Sequence, residues 1–150
     1  MSQVLSKEEE MASEVTVRRV GKFKNDIEIG QHHLTADEPR EVGGEGQGPD
    51  PYGLLLASLG ACISITLTLY ADRKGWPLTG VEVKLRHQKV YWEDCVECGE
   101  TDGEAGTVLD RIEKEVILTG DLDEAQRKRL HDIAGKCPVH KTLTGAVVIV

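Results

Sequence analysis

Apolar residues occupy every face of one long segment near the middle of the chain, Asp50 to Trp76. A simple amphipathic stripe cannot accommodate them, so the pattern predicts a helix that protein surrounds on all sides. Asp50 can cap its start, Pro51 suits its first turn and Gly75 can close its end. Its apolar length is marginally enough for a bilayer, but small and polar residues dilute it and nothing basic comes directly before it. We therefore predict the buried central helix of a soluble domain.

The residues before this helix have a different pattern. Short alternations of β-branched and polar residues from Val15 onward predict two or three antiparallel strands, with turn signals at Gly21, Asn25-Asp26 and Gly30. The glycine-rich run from Val42 to Gly48 lacks the spacing of a phosphate-binding loop, and we interpret it as a flexible lid or linker. Residues 1–13 have no apolar period and are expected to be flexible, whereas residues 14–150 are expected to form one domain.

After the helix, the period of apolar residues changes to two. Alternation from Val81 to Tyr91 predicts a half-buried strand, and a second strand over 108–118 would form a hairpin with it around a break at 93–106. Asp121 and Glu124 have the spacing of a capping box and predict the start of a further helix.

The last part of the chain predicts a short helix and a strand. Gly135 would end the preceding helix, Cys137-Pro138 would start the short one, and Val147 to Val150 would form the final strand. The order of strands, helix, strands, helices and strand predicts an α+β fold, because the strand-helix alternation of a parallel sheet is missing.

The length, net charge and N-terminal composition of the chain predict its oligomeric state, partners and location. A chain of 150 residues suits one core, yet so small a domain has difficulty in covering a helix on all sides, so we expect a homodimer. The net charge of −8 and the lack of a Lys/Arg cluster argue against a nucleic-acid partner, and we expect no membrane partner. The polar, acidic N-terminus does not resemble a secretion signal, so the cytoplasm is the expected location.

Four cysteines in a reducing compartment are more often redox-active or metal-binding than structural. Cys62 taken alone would be a buried apolar filler. Cys137 precedes Pro138 at a predicted helix N-terminus, where backbone amides and the helix dipole can stabilise a thiolate, and His140 could add positive charge. An unreactive cap explains that position equally well.

The run GPDPYGLLLASLGACISITLTLYADRKGWPL, followed far downstream by KCPVHKTL, resembles the OsmC/Ohr family of osmotically inducible and organic-hydroperoxide-resistance proteins. The ADEP segment at Ala36 to Pro39 and the DCxxC insertion at Asp94 to Cys98 are similar to one branch of it. The resemblance covers most of residues 27–150. It implies an intertwined homodimer, with antiparallel sheets around a long buried central helix and two active sites at the subunit interface.

The resemblance also implies roles for individual residues. Cys62 would be the peroxidatic thiol and Cys137 the resolving thiol, and an external dithiol such as a lipoyl group would reduce their disulfide, without a bound cofactor. The family places an arginine beside the thiolate, and we rank Arg40 first for this role. The alternatives are Arg18 and Arg19. The family's glutamate position is Gly53 here, and candidates to replace it are Glu38, Glu41 and Glu45.

Cys95 and Cys98 form a C-x-x-C motif, which is a compact dithiol or half of a zinc site. Cys137 and His140 could supply the other half, but a cysteine bound to zinc could not resolve a sulfenic acid. We favour a surface-loop dithiol that exchanges with the Cys62 and Cys137 pair, or an inert loop, and we assign no metal site. The remaining histidines are interpreted as solvated surface residues: His32, His33, His87 and His131.

Two functional hypotheses follow. The first is a thiol-dependent peroxidase of the oxidative stress response that reduces organic hydroperoxides through Cys62 and Cys137. The alternative is a non-catalytic dimeric protein that binds a small apolar molecule and carries a zinc-binding CxxC loop. Gly53 at the glutamate position favours the alternative.

Overall fold

The computed structural model describes residues 14–98 and 103–150, which form an α+β fold with antiparallel sheets, as predicted. These residues divide into two compact units, one ending at Leu54 and the other beginning at Leu55. The expectation of a single domain over 14–150 therefore stays a prediction. The expected flexible segment 1–13 lies outside the described residues.

The first unit contains a three-stranded antiparallel sheet in the order β1-β2-β3. Its strands are β1 (Val15–Arg19), β2 (Asn25–Ile29) and β3 (His32–Ala36). The prediction of strands before the helix is confirmed, and Gly30 makes the second turn with a positive φ of 58°. The turn expected at Asn25-Asp26 is wrong, because both residues lie within β2. The first turn instead precedes them, where the Gly21 amide donates to the Lys24 carbonyl.

The glycine-rich run is a folded loop, so its interpretation as a flexible lid or linker is wrong. It closes around the Asp37 carboxylate, which is 2% exposed and accepts hydrogen bonds from the amides of Glu38, Glu45 and Gln47. Burial acts to raise the pKa of Asp37, but these hydrogen bonds outweigh it and the pKa is lowered. A Cβ at Gly44 would lie only 1.9 Å from the Glu38 carbonyl oxygen. Gly44 therefore permits close packing of the loop against the backbone of Glu38.

The central helix is α1 (Pro51–Lys74), and both of its predicted ends are confirmed. The Asp50 carboxylate accepts a hydrogen bond of 2.9 Å from the Gly53 amide. At the other end, Gly75 adopts a positive φ of 68°, and the Trp76 amide donates to the Ala71 carbonyl at 2.9 Å.

Only one face of α1 is buried, so the prediction that protein surrounds it is wrong for the single chain. The buried residues follow one i, i+4 stripe: Leu59, Ile63, Leu67 and Ala71. A second i, i+4 stripe lies on the opposite face and is exposed: Ala57, Ala61, Ile65 and Leu69. Ile65 is 60% exposed and Leu69 is 58% exposed. The reason for the difference is that the other elements of the second unit cover one side of the helix only.

With a mean hydropathy of 1.9 over its most apolar window, α1 is long and apolar enough to cross a membrane. It is the one such helix among the described residues. Core helices of soluble proteins also have this length and composition, so one helix of this kind is weak grounds for a membrane span.

The covered face of α1 packs against a long hairpin, which confirms the second strand prediction. The hairpin consists of β4 (Leu78–Tyr91) and β5 (Val108–Gly120), paired antiparallel with Val83 opposite Val116 and Leu85 opposite Lys114. Leu118 of β5 is buried and contributes to the same core as the buried stripe of α1.

Helix α2 (Glu124–Ala134) begins two residues later than predicted. Its capping box consists of Asp123 and Gln126 rather than Asp121 and Glu124. The shift has a packing cause, because Leu122 is 8% exposed and belongs to the core. The Leu122 amide donates to Gly120, which places Asp121 in the connecting turn.

The last helix is α3 (Pro138–Thr144), with Cys137 as its N-cap as predicted. The predicted final strand at Val147 to Val150 is wrong within this chain. These residues have no regular secondary structure, and Val148 is 82% exposed. Among the described residues, no strand edge pairs with them.

Candidate active site at Cys62 and Cys137

Two cysteines far apart in sequence meet in the second unit. Cys62 lies in the middle of α1, next to the buried Ile63, and Cys137 caps α3. Both are free thiols; Cys62 is half-buried and Cys137 is completely buried. The two side chains are near neighbours, and Cys62 affects the pKa of Cys137.

The first turn of α3 donates a hydrogen bond to each sulfur. The Val139 amide donates to Cys62 Sγ at 3.5 Å, and the His140 amide donates to Cys137 Sγ at 3.3 Å. Pro138 has no amide hydrogen, so Val139 and His140 carry the first free donors of the helix. Amides in this position stabilise negative charge on sulfur, which suits thiol chemistry.

Burial raises the pKa of the Cys137 thiol, and the hydrogen bond and charge of Cys62 raise it further. The amides of His140 and Val139 act in the opposite direction without cancelling the rise. Cys137 is therefore protonated at neutral pH and can donate its S–H to a negatively charged neighbour.

The expectation that His140 adds positive charge does not hold. Burial lowers the pKa of His140, and the positive charge of Lys114 lowers it further. The ring is therefore neutral at pH 7, and His140 contributes its backbone amide rather than a charge. Lys114 was missed in the sequence, because only the position of β5 in the fold brings it near α3.

A shallow apolar groove lies along α1, and Ala61, the residue before Cys62, is part of its lining. Its volume is about 310 Å³, and it is lined on the α1 side by residues that include Gly60, Ala61 and Ser64. Val83 and Leu85 of β4 line the other side. A Cβ at Gly60 would lie 3.2 Å from Leu85 Cδ1, so the glycine allows the strand to approach the helix closely. The groove can accept an apolar group next to the cysteine-bearing helix.

The residues predicted to activate Cys62 lie in the first unit. Arg40 begins an exposed short 3₁₀ helix, Arg40–Val42, and Arg18 pairs with Glu28 at 2.9 Å. A Cβ at Gly53 would lie 2.7 Å from the capping oxygen of Asp50, so a side chain there would require the cap to shift. The role of Arg40 and the replacement of the family glutamate stay predictions.

Cys95 and Cys98 are not part of this thiol pair, because they form a disulfide with each other. They lie at the end of the β4–β5 hairpin, where Cys95 follows the 3₁₀ helix Trp92–Asp94 and Cys98 ends the 3₁₀ helix Val96–Cys98. Within residues 14–98 and 103–150, no three His, Cys, Asp or Glu side chains form a group that could hold a metal ion.

The sequence predicts a solvated surface histidine at His87. Its ring nitrogen Nε2 instead lies 2.7 Å from the Asp110 carboxylate on the paired strand.

A family model described as OsmC-like protein matches residues 44–150. The comparison with curated proteins gave no match. Among solved structures, the chain is similar to an OsmC-like protein from Mycoplasma pneumoniae, with 23% identity and a TM-score of 0.69 over 90% of this chain and 89% of the other. It is also similar to an organic hydroperoxide resistance protein OsmC from Legionella pneumophila, with 20% identity and a TM-score of 0.64 over 89% and 90%. A third, an organic hydroperoxide resistance protein from Elizabethkingia anophelis, has 17% identity and a TM-score of 0.64 over 89% of both chains.

Proposed function

Because this chain belongs to the OsmC-like protein family, we propose that it is a thiol-dependent peroxidase that reduces organic hydroperoxides through Cys62 and Cys137. The observation that carries the proposal is the convergence of both sulfurs on the first turn of α3. Two free thiols that accept hydrogen bonds from one helix turn suit a peroxidatic and resolving pair, since the two sulfurs must join without a large rearrangement.

In the first step, the Cys62 thiolate attacks the terminal oxygen of the hydroperoxide. The O–O bond breaks, the alkoxide leaves and takes up a proton from the Cys137 thiol or from water, and Cys62 becomes a sulfenic acid. The Cys137 sulfur then attacks the Cys62 sulfur, a disulfide forms and water leaves. An external dithiol, such as a lipoyl group, reduces this disulfide by exchange and becomes a disulfide itself.

The surroundings of the two thiols support different roles for them. The Val139 amide supports negative charge on Cys62. The raised pKa of Cys137 keeps that thiol protonated while Cys62 reacts with the peroxide. The S–H of Cys137 can then stabilise the Cys62 thiolate. We assign to Arg40 the additional positive charge that a half-buried thiolate needs.

The apolar groove along α1, which Ala61 lines one residue before Cys62, supports an organic substrate. Val83 and Leu85 provide a surface that favours an alkyl or aryl hydroperoxide over hydrogen peroxide, because apolar contact adds binding energy only to the former. The alternative function, in which the protein binds an apolar molecule without reacting with it, would use the same groove.

The exposed stripe of α1 supports a homodimer. Four apolar residues in one row, with Ile65 and Leu69 more than half exposed, form a surface that proteins usually cover. The exposed apolar tail from Val147 to Val150 is a second such surface. We propose that a second copy of the chain covers both and that the protein acts in the cytoplasm during oxidative stress.

The decisive experiment follows each cysteine during a single exposure to cumene hydroperoxide. Trypsin would separate the cysteines, with Cys62 in peptide 41–73, Cys95 and Cys98 in peptide 90–111, and Cys137 in peptide 137–141. We expect one equivalent of peroxide to produce a disulfide between the first and last of these peptides. Unchanged Cys62 and Cys137 thiols would refute the peroxidase and leave the binding protein as the better explanation.

A separate experiment tests the dimer. Light scattering on the purified protein should give twice the mass of 16.5 kDa. Ile65→Asp should shift it toward the monomer, because it places a charge in the apolar surface. Glu82→Ala on β4 is an exposed control that should leave the mass unchanged. A monomeric wild-type protein would contradict the dimer without affecting the thiol chemistry.

A further inference from the structure

The proposed peroxidase leaves the disulfide between Cys95 and Cys98 without a role. Only two residues separate these cysteines, and the disulfide lies at the end of the β4–β5 hairpin. It is formed while the other two cysteines of the chain are free thiols. The chain therefore contains two cysteine pairs in different oxidation states.

A structural role explains this disulfide poorly. A disulfide stabilises a fold mainly by closing a loop in the unfolded chain, and the effect is smallest for short loops. The segment is also held independently of the disulfide. The Trp92 amide donates to the Thr107 carbonyl at 2.8 Å, and the Gly106 amide donates to the Glu93 carboxylate at 3.0 Å.

The disulfide has space in front of it for a reaction partner. A cavity of about 470 Å³ is lined by both cysteines, by Glu97 and by the β5 residues from Arg111 to Lys114. The two sulfur-bearing residues differ in access, since Cys95 is 9% exposed whereas Cys98 is half-buried. An incoming thiolate would therefore reach the Cys98 sulfur first, and Cys95 would be the leaving group.

Charged side chains surround the leaving sulfur. Glu97 Oε2 lies 4.0 Å from Cys95 Sγ, while Glu97 Oε1 accepts a hydrogen bond of 3.0 Å from Arg111. Arg111 also bonds to Glu113 on the same strand. The hydrogen bond from Arg111 lowers the pKa of Glu97, so this carboxylate is charged at neutral pH. A negative charge beside Cys95 disfavours its thiolate, so Glu97 slows the departure of Cys95 and helps to keep the pair as a disulfide.

We propose that Cys95 and Cys98 form a second thiol–disulfide exchange site, reduced by an external thiol that enters this cavity. The thiolate attacks Cys98 Sγ, the Cys95–Cys98 bond breaks, and Cys95 leaves and takes up a proton. A second external thiol attacks the mixed disulfide, which releases Cys98 as a thiol and forms the external disulfide. Two electrons pass to the protein. This site does not depend on the peroxidase chemistry of Cys62 and Cys137.

The test equilibrates the full-length protein with mixtures of reduced and oxidised glutathione, followed by differential alkylation and tryptic mapping. Peptide 90–111 reports on Cys95 and Cys98 separately from the other cysteines. We expect it to change reversibly from disulfide to dithiol within the series. A disulfide that persists in reduced glutathione would make the pair structural, and a pair that never forms a disulfide would also overturn the proposal.

A matched pair of variants tests the chemical environment. Glu97→Gln removes the charge near Cys95, which favours the departing Cys95 thiolate, so the reduction of the disulfide by glutathione should be about threefold faster. Glu115→Gln removes an exposed carboxylate of β5 that does not line the cavity, and it should leave this rate unchanged. Equal changes of rate in both variants, or none in either, would contradict the assigned role of the cavity. Failure of the peroxidase leaves this measurement unaffected.

Discussion

The two cysteine pairs of this chain show how differently one residue type behaves in two settings. Cys62 and Cys137 come from distant parts of the sequence, are largely enclosed, and accept hydrogen bonds from the amides of one helix turn. Cys95 and Cys98 are near neighbours in sequence, lie at the end of a hairpin, and have charged side chains around them. The first pair is positioned by tertiary packing and the second by local sequence.

The comparison indicates which chemistry suits each pair. An enclosed thiol beside a helix N-terminus is protected from water and suits a sulfenic acid, which water-soluble thiols would otherwise intercept. A compact disulfide that faces a cavity is accessible to those same thiols. The two pairs should therefore differ in substrate, in rate of modification and in sensitivity to mutation.

The largest expected effect separates the pairs by function. Cys62→Ser should reduce the consumption of cumene hydroperoxide by more than about 100-fold, because the nucleophile is lost. The double variant with Cys95→Ser and Cys98→Ser should keep the rate of the first turnover. A stopped-flow assay with limiting peroxide measures both. If the double variant also loses the first turnover, the two cysteine pairs do not have separate functions.

Cys137→Ser should separate the two roles within the first pair. The first turnover should remain, but steady-state turnover with a dithiol should fall by about tenfold, because the sulfenic acid at Cys62 has no resolving partner. Dimedone should label peptide 41–73 in this variant after peroxide treatment, with untreated protein as the control. Full turnover without Cys137 would show that the external thiol resolves Cys62 directly.

The pairs should also differ in alkylation of the fully reduced, native protein. At pH 7, iodoacetamide should modify Cys137 at least about tenfold more slowly than Cys98, because burial blocks access to Cys137 and raises its pKa above the ordinary 9.0. The rate at which iodoacetamide modifies Cys137 should rise only above pH 9.0. Unfolding in guanidinium is the control and should remove most of the difference. Equal rates in the native state would show that Cys137 is accessible.

The smallest expected effect concerns the charge next to α3. Lys114→Met should raise the pKa of His140 toward its ordinary 6.5 without reaching it, because burial also lowers this pKa, and an NMR titration measures the change. A lowered pKa in the folded state means that stability is complete above pH 6.5 and falls as the pH decreases, so this variant should lose less stability in acid. Lys84→Met on β4 is the control. An unchanged pKa of His140 in the Lys114→Met variant would show that Lys114 has no electrostatic effect on His140.

Much of the local structure could be predicted from the sequence. Asp50 and Gly75 mark the ends of α1 because capping and positive φ depend on single residue types. The alternation in β4 and β5 predicts a hairpin because a half-buried strand imposes a period of two. The start of α2 was misplaced by two residues because Leu122 is drawn into the core, an effect that no local pattern reports.

The site was predictable only in part. The Cys-Pro pattern at Cys137 predicts an N-cap by itself, since proline suits the first turn of a helix. The Val139 amide on Cys62 could not be anticipated, because it depends on α3 docking against the middle of α1. The buried carboxylate of Asp37 was also missed, since a glycine-rich run gives no indication of whether it folds around a neighbour or remains open.

The sequence by itself determined both ends of α1, the hairpin of β4 and β5, and that Cys137 would lie at a helix N-terminus, because those features depend on residues a few positions apart. Only the tertiary structure decided that Cys62 and Cys137 meet, that their sulfurs share one turn of α3, and that α1 has one buried and one exposed face. These features depend on contacts between distant segments. The same apolar pattern along α1 is compatible with several ways of covering it, and packing selects among them.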